Sequence, residues 1–168
     1  SNPIAACCCI AGEAQCSRSP QLHIMSEALV IGYGNLLRGD DGVGRHVIDA
    51  LEPLLPEGSA VSIHQLTPEW AETISHACLV VFVDAAVGDN PGEVRHLQLA
   101  PAVAQPGSHE LTPEGILSMA AELYGRYPMA HIVTITGDSF EFSDSLTEPV
   151  AASVSIATRI VLELIEEN

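Results

Sequence analysis

From Glu27 onward, short apolar runs alternate with longer stretches of helical spacing. The segment ALVIGYG, residues 28–34, is a brief apolar run closed by glycines, as a buried strand ending in a turn would be. In DGVGRHVIDALEPL, Val43, Val47, Ile48 and Leu51 recur at helical spacing until Pro53 ends the pattern. AVSIHQL alternates apolar and polar residues, and Thr67-Pro68-Glu69 then offers an N-cap threonine with proline in the first turn of a helix, PEWAETISHA. CLVVFVDAAV is an almost unbroken β-branched and aromatic run, expected of a central strand covered on both faces. GEVRHLQL alternates like a half-exposed or edge strand; TPEGILSMAAELYG repeats the Thr-Pro-Glu helix opening; HIVTITG is a further strand, and LTEPVAASVSIATRIVLELIEE a long closing helix.

Strand and helix in alternation predict a three-layer α/β/α domain over residues 27–168, with a mainly parallel, five-stranded twisted sheet. Residues 1–26 read as a poorly structured extension: Ser1-Asn2 resembles a tag-removal scar, and Met25 stands where a start would precede the first strand. Four of the five cysteines, Cys7, Cys8, Cys9 and Cys16, lie in that stretch, without a CxxC pair, so they form neither a disulfide framework nor a metal knuckle. Cys78 opens an apolar strand and reads as core.

Charge narrows the partners. The 168 residues carry 22 acidic side chains against 6 arginines and no lysine, a formal charge of -16, which repels nucleic acid backbones and anionic lipid. Such a surface is compatible with a basic peptide or a metal cation, but a solubility or salt-tolerance adaptation explains it as well, so charge alone does not choose. No apolar run reaches the length of a membrane span and no basic region precedes a short apolar patch, so a cytoplasmic protein is expected, with a monomer favoured.

In parallel α/β sheets the working site lies beyond the carboxyl ends of the strands. Three of those ends carry polar chemistry here: Asp40-Asp41 after the first strand, Asp84 closing LVVFVD, and His109 in the loop QPGSHELTP. Consecutive helical residues project about 100° apart, so the two adjacent aspartates do different jobs. Asp40 is expected as the helix N-cap and Asp41 as an ionised group in the first turn. Gly42 and Gly44 clear space for a close approach. Two carboxylates and one imidazole suit a borderline divalent ion such as Ni²⁺, Mn²⁺, Fe²⁺ or Zn²⁺ and leave coordination positions open. A dinucleotide turn is disfavoured, because the third glycine of GxGxxG is missing and the aspartates would oppose a pyrophosphate. HExxH, GxSxG and P-loop patterns are missing. His46, His64, His76, His96 and His131 read individually as surface or core residues, with His64 also able to line the cleft.

The stretch Gly32-Tyr33-Gly34-Asn35-Leu36-Leu37-Arg38-Gly39-Asp40-Asp41-Gly42-Val43-Gly44 resembles the opening signature of the nickel–iron hydrogenase maturation proteases, G-x-G-N-x-L-x-x-D-[DE]-G-x-G. FVDA, SHELTPEGIL and LTEPV extend the resemblance from about Leu29 to the C-terminus. The resemblance implies a phosphorylase/hydrolase-like fold and an endopeptidase that removes the C-terminal extension of a hydrogenase large subunit after nickel insertion. Carried over position by position, it implies Asp41, Asp84 and His109 as metal contacts, with Asp41 and Asp84 catalytic. Gly34, Asn35, Asp40, Gly42, Gly44, His64 and Gln65 would support or contact the substrate. Nickel would arrive with the substrate, and no permanently bound catalytic zinc is expected. One departure is HQLTPE, residues 64–69, where some members have a D-G-G-T-like stretch. Any role of an acidic residue there would be absent or fall to His64, Gln65 or Glu69. Two other readings stay open: a non-catalytic nickel-binding checkpoint for the large subunit, and a spore-protease-like peptidase of related fold.

Overall fold

Apolar runs too short for helices become strands: β1 (Ala28–Tyr33), β2 (Ala60–Ile63), β3 (Leu79–Ala86), β4 (Val94–Leu99) and β5 (Met129–Thr136). The structure, a computed structural model, describes residues 28–102 and 111–168. The expected extension at residues 1–26 and His109 lie outside the described residues. The strands form one sheet in the order β2-β1-β3-β5-β4. All neighbours are parallel except β4, which pairs antiparallel with β5 at the edge.

Four helices cover the sheet: α1 (Val43–Leu51), α2 (Trp70–His76), α3 (Pro113–Tyr124) and α4 (Glu148–Glu167). Side chains of successive strand residues point to opposite faces, which divides the core in two. Val30, Val81 and Val83 meet Val47, Ile48 and Leu51 of α1 and Ala157 and Val161 of α4. Ile31, Val80 and Phe82 meet Ala71 and Ile74 of α2 and Ile116 and Leu117 of α3. Central β3 is buried from Leu79 to Val83, as its unbroken apolar run requires. Burying a side chain such as Phe82 contributes about 3 kcal/mol. Among the described residues no helix is long and apolar enough to cross a membrane.

The two Thr-Pro-Glu openings behave differently. At α3, Thr112 is the N-cap, its hydroxyl oxygen accepting the Gly115 N–H at 3.1 Å. At α2, the expected N-cap Thr67 does not cap: Glu69 is the N-cap, without a side-chain bond, and the Thr67 hydroxyl donates to the Glu69 carboxylate instead. Thr67 and Pro68 accept the Trp70 and Ala71 N–H groups through their carbonyls, forming a turn ahead of the helix.

Asp40 corrects a second expectation. It lies in the 3-10 helix Gly39–Gly42, and α1 begins after Gly42 with no side-chain cap. The Asp40 side chain, wholly buried, turns away from its own helix to the segment joining β5 and α4. Its Oδ2 accepts the N–H groups of Asp138 (2.8 Å) and Ser139 (3.0 Å) and the Thr147 hydroxyl (2.8 Å), and its Oδ1 accepts the Thr147 N–H (2.8 Å). Burial alone would raise the Asp40 carboxyl above the ordinary aspartate value; the donors from Ser139, Thr147 and Asp138 outweigh it and hold it below. Arg38 and Ser143 form a parallel bridge across the same two loops.

On the α4 face, the His131 ring is buried and stands 2.7 Å from the His96 ring, Nδ1 to Nε2. Burial first, then the neighbouring His96, lowers the His131 pKa from 6.5.

Two outcomes are expected. Asp40→Ala strands three N–H groups and a hydroxyl and costs about 3–5 kcal/mol in urea denaturation at neutral pH; because the folded pKa is depressed, the difference from wild type shrinks as pH falls through that value. His131 acts closer to neutrality, on the same acid side. Its folded pKa is also lowered, so the unfolded chain takes up a proton first, and stability drops as pH falls below 6.5. His131→Gln should flatten the urea midpoint between pH 7.5 and pH 5.5, a comparison that an unchanged slope would decide against.

Candidate active site

The connection from β1 leads through α1 to β2 on one side, whereas β3 leads toward β4 and β5 on the other. The carboxyl ends of β1 and β3 therefore flank the point where the chain changes direction, which is where open α/β sheets have their binding crevice. Asp41 follows β1 and Asp84 lies near the end of β3, so both candidates stand at that crevice.

Glycine geometry places Asp41. Gly34 has φ 135°, and a Cβ built on it would lie 1.9 Å from the Asp41 carbonyl oxygen, so only glycine lets the chain double back here. A Cβ on Gly44 would lie 2.3 Å from the Val83 carbonyl oxygen and 2.8 Å from that of Tyr33. The first turn of α1 thus sits directly on β1 and β3, next to the residue that precedes Asp84. The close approach that Gly44 permits is this contact with the strands. Gly42 likewise lies against Leu36.

Asn35 sets the Asp41 carboxylate. Its N–H donates to Asp41 Oδ2 at 2.8 Å, and its own side-chain oxygen accepts the Leu37 N–H at 2.9 Å, folding the loop into an Asx turn. Among the described residues Asp41 Oδ1 accepts no hydrogen bond, and the side chain is half-buried.

Asp84 is half-buried, and its Oδ1 accepts the Ala85 N–H at 2.7 Å. Register pairs Gly32 with Val83, which sets Tyr33 beside Asp84 on the α2 and α3 face. The Tyr33 hydroxyl donates to the Asp84 carboxylate. Burial first, then the charge of Asp84, that hydrogen bond and the charge of Glu114 push the Tyr33 pKa far above the ordinary tyrosine value. The phenol therefore remains a donor to the Asp84 carboxylate. Nothing in the spacing around Tyr33 signals this role; only strand pairing reveals its partner.

His64 and Gln65 are exposed at the carboxyl end of β2, and the His64 carbonyl accepts the Gly34 N–H at 3.2 Å. That end of β2 borders the same turn. Asp40 is walled off in the clamp described above. His109 lies outside the described residues, while α3, which follows it in the chain, packs on the face that Tyr33 and Asp84 share. Among the described residues no three histidine, cysteine or acidic side chains gather closely enough to hold a metal ion. Cys78 precedes β3 at the opposite end of the sheet, half-buried. A hollow lined by Glu52, Leu55, Pro56, Glu57, Gly58 and Ala60 also lies at that far end, at the start of β2.

A crevice with two half-buried carboxylates, one backed by a backbone N–H and the other by a phenol, can hold a cation or accept a proton from water. Comparison with known proteins places it in context. No protein-family model matches the chain. It is 27% identical over 151 residues to the hydrogenase expression/formation protein HoxM of Azotobacter vinelandii, covering 83% of this chain and 72% of HoxM. It superposes on the hydrogenase maturating endopeptidase HybD of Escherichia coli with a TM-score of 0.70 at 28% identity, over 83% of this chain and 92% of HybD. The hydrogenase 2 maturation peptidase of a Thaumarchaeota archaeon gives a TM-score of 0.65 at 27% identity, over 84% and 99% of the two chains. At 21% identity and a TM-score of 0.66, the hydrogenase maturation protease HycI of Thermococcus kodakarensis shares the fold, over 83% of this chain and 92% of HycI. In signature, sequence and fold alike, the chain is similar to the hydrogenase maturation proteases.

Proposed function

We propose that this chain is an endopeptidase that removes the C-terminal extension of a nickel–iron hydrogenase large subunit once nickel has been inserted. The nickel is part of the substrate and arrives with it, and Asp41, Asp84 and His109 are the groups that read it. The observation that carries this reading is that Asp41 follows β1 and Asp84 lies near the carboxyl end of its parallel neighbour β3, beside the point where the sheet changes direction, in a chain similar to maturation proteases. The donor chemistry fits. Asp41 Oδ2 is steadied by Asn35, leaving Oδ1 as a ligand oxygen, which is how ligating carboxylates are usually oriented. Carboxylate oxygens and an imidazole together suit a borderline divalent ion.

Nickel supplies a cationic charge beside the scissile peptide. Asp41 and Asp84 fix the loaded end so that the scissile carbonyl faces an attacking water, and a carboxylate takes the proton from that water. The new C–O bond forms, the C–N bond breaks, and the proton leaves with the amine. Tyr33 holds the Asp84 carboxylate in place for this task.

Mass spectrometry of a large-subunit precursor, with and without inserted nickel, tests the proposal after incubation with the full chain. Loss of a defined C-terminal peptide from the loaded form alone is the expected result. Equal cutting of both forms would favour a metal-independent peptidase, and an intact precursor that co-purifies with this chain would favour a checkpoint. Asp41→Asn and Asp84→Asn should each abolish the cut, and turnover retained in both would remove the site assignment. Tyr33→Phe takes away a donor that orients the Asp84 carboxylate, so kcat/KM should fall by about tenfold with circular dichroism unchanged. An unchanged kcat/KM would limit Tyr33 to packing.

A further inference from the structure

The bridge that ties the two loops also lays out a surface. The Gly39 N–H donates to the Ser143 carbonyl at 2.9 Å, and the Ser143 N–H donates to the Leu37 carbonyl at 3.1 Å. In this pairing Arg38 stands beside Ser143 and the Leu37 carbonyl bonds the Ser143 N–H, so Leu37 and Phe142 are neighbours along the two joined loops. Both are open to solvent, Leu37 at 54% and Phe142 at 86%. Neither contributes to the two core clusters. An apolar pair displayed side by side on loops pinned by a buried carboxylate is an unpartnered face, and aromatic side chains in such places anchor interfaces. The loop that presents Phe142 also exposes Asp138, Glu141 and Asp144, against the lone cation of Arg38. The whole chain carries -16.

We propose that Leu37 and Phe142 form the docking surface for the partner polypeptide, and that the segment seated there is apolar with flanking cationic residues. This rests on the reading of the chain as a protein-processing enzyme. The partner's apolar side chains cover Leu37 and Phe142, while its positive charges meet the rim of Asp138, Glu141 and Asp144. The surface belongs to the same β1–α1 loop as Asp41, so a segment held there enters the crevice from the side of the β5–α4 loop. The Asp40 clamp keeps the surface and the crevice in fixed relation.

Fluorescence anisotropy with three labelled peptides of equal length tests the surface by itself: leucine alternating with arginine, leucine with glutamate, and serine with arginine. The full chain should bind the leucine–arginine peptide, and Leu37→Ser combined with Phe142→Ser should weaken it by about tenfold with circular dichroism unchanged. Leu54→Ser, an equally exposed apolar site in the connection from α1 to β2, should leave binding as it is. Serine–arginine binding as tight as leucine–arginine binding, or no loss in the double variant, overturns the proposal. Precursor cleavage separates it from the functional reading. A cut whose KM is unchanged by the double variant removes the surface and keeps the protease; patch-dependent peptide binding with every precursor left intact does the reverse.

Discussion

One buried carboxylate holds the working end of this molecule together. Asp40 receives four hydrogen bonds from Asp138, Ser139 and Thr147, residues about a hundred positions away in the chain. A buried charge survives only when fully satisfied, so the β1–α1 and β5–α4 loops must close on it together or not at all. Thr147, the N-cap of α4, gives its hydroxyl to Asp40 and leaves its own helix without a side-chain cap. The start of the longest helix is thereby tied to the loop that carries Asp41.

With that clamp in place, glycines decide distances. Gly34 lets the chain reverse against Asp41, and Gly44 lets α1 rest on the backbone of β1 and β3. Any side chain at these two positions would overlap backbone oxygen, which has no rotamer to yield. The neighbouring aspartates consequently part company: one is sealed inside as a structural anchor, the other is left half-buried at the crevice with one oxygen steadied by Asn35.

The second carboxylate is prepared differently. Asp84 ends an otherwise apolar strand, where ionisation would be costly without a donor. Tyr33 supplies that donor from the adjacent strand, and its own burial keeps the phenol protonated. Site and scaffold are continuous here: the register that builds the sheet also pairs the phenol with the carboxylate.

Most of the architecture could be read from the chain because it depends on local periodicity. Five strands, four helices, a central β3 and an edge β4 all follow from apolar spacing and its punctuation by glycine and proline. Asp41 and Asp84 were legible as candidates because a strand-end carboxylate has few structural excuses. Thr67 and Asp40 were not, since identical local sequence permits either a cap or a longer-range bond and the neighbours in space decide between them. The same holds for Tyr33 with Asp84 and for Leu37 beside Phe142. Sequence by itself determined the elements, the glycine-aspartate turn and the family resemblance, because those reside in spacing along one strand of chain. Only the tertiary structure decided which aspartate is an anchor and which faces the crevice, because a carboxylate's role is set by the donors that surround it, and those come from distant loops.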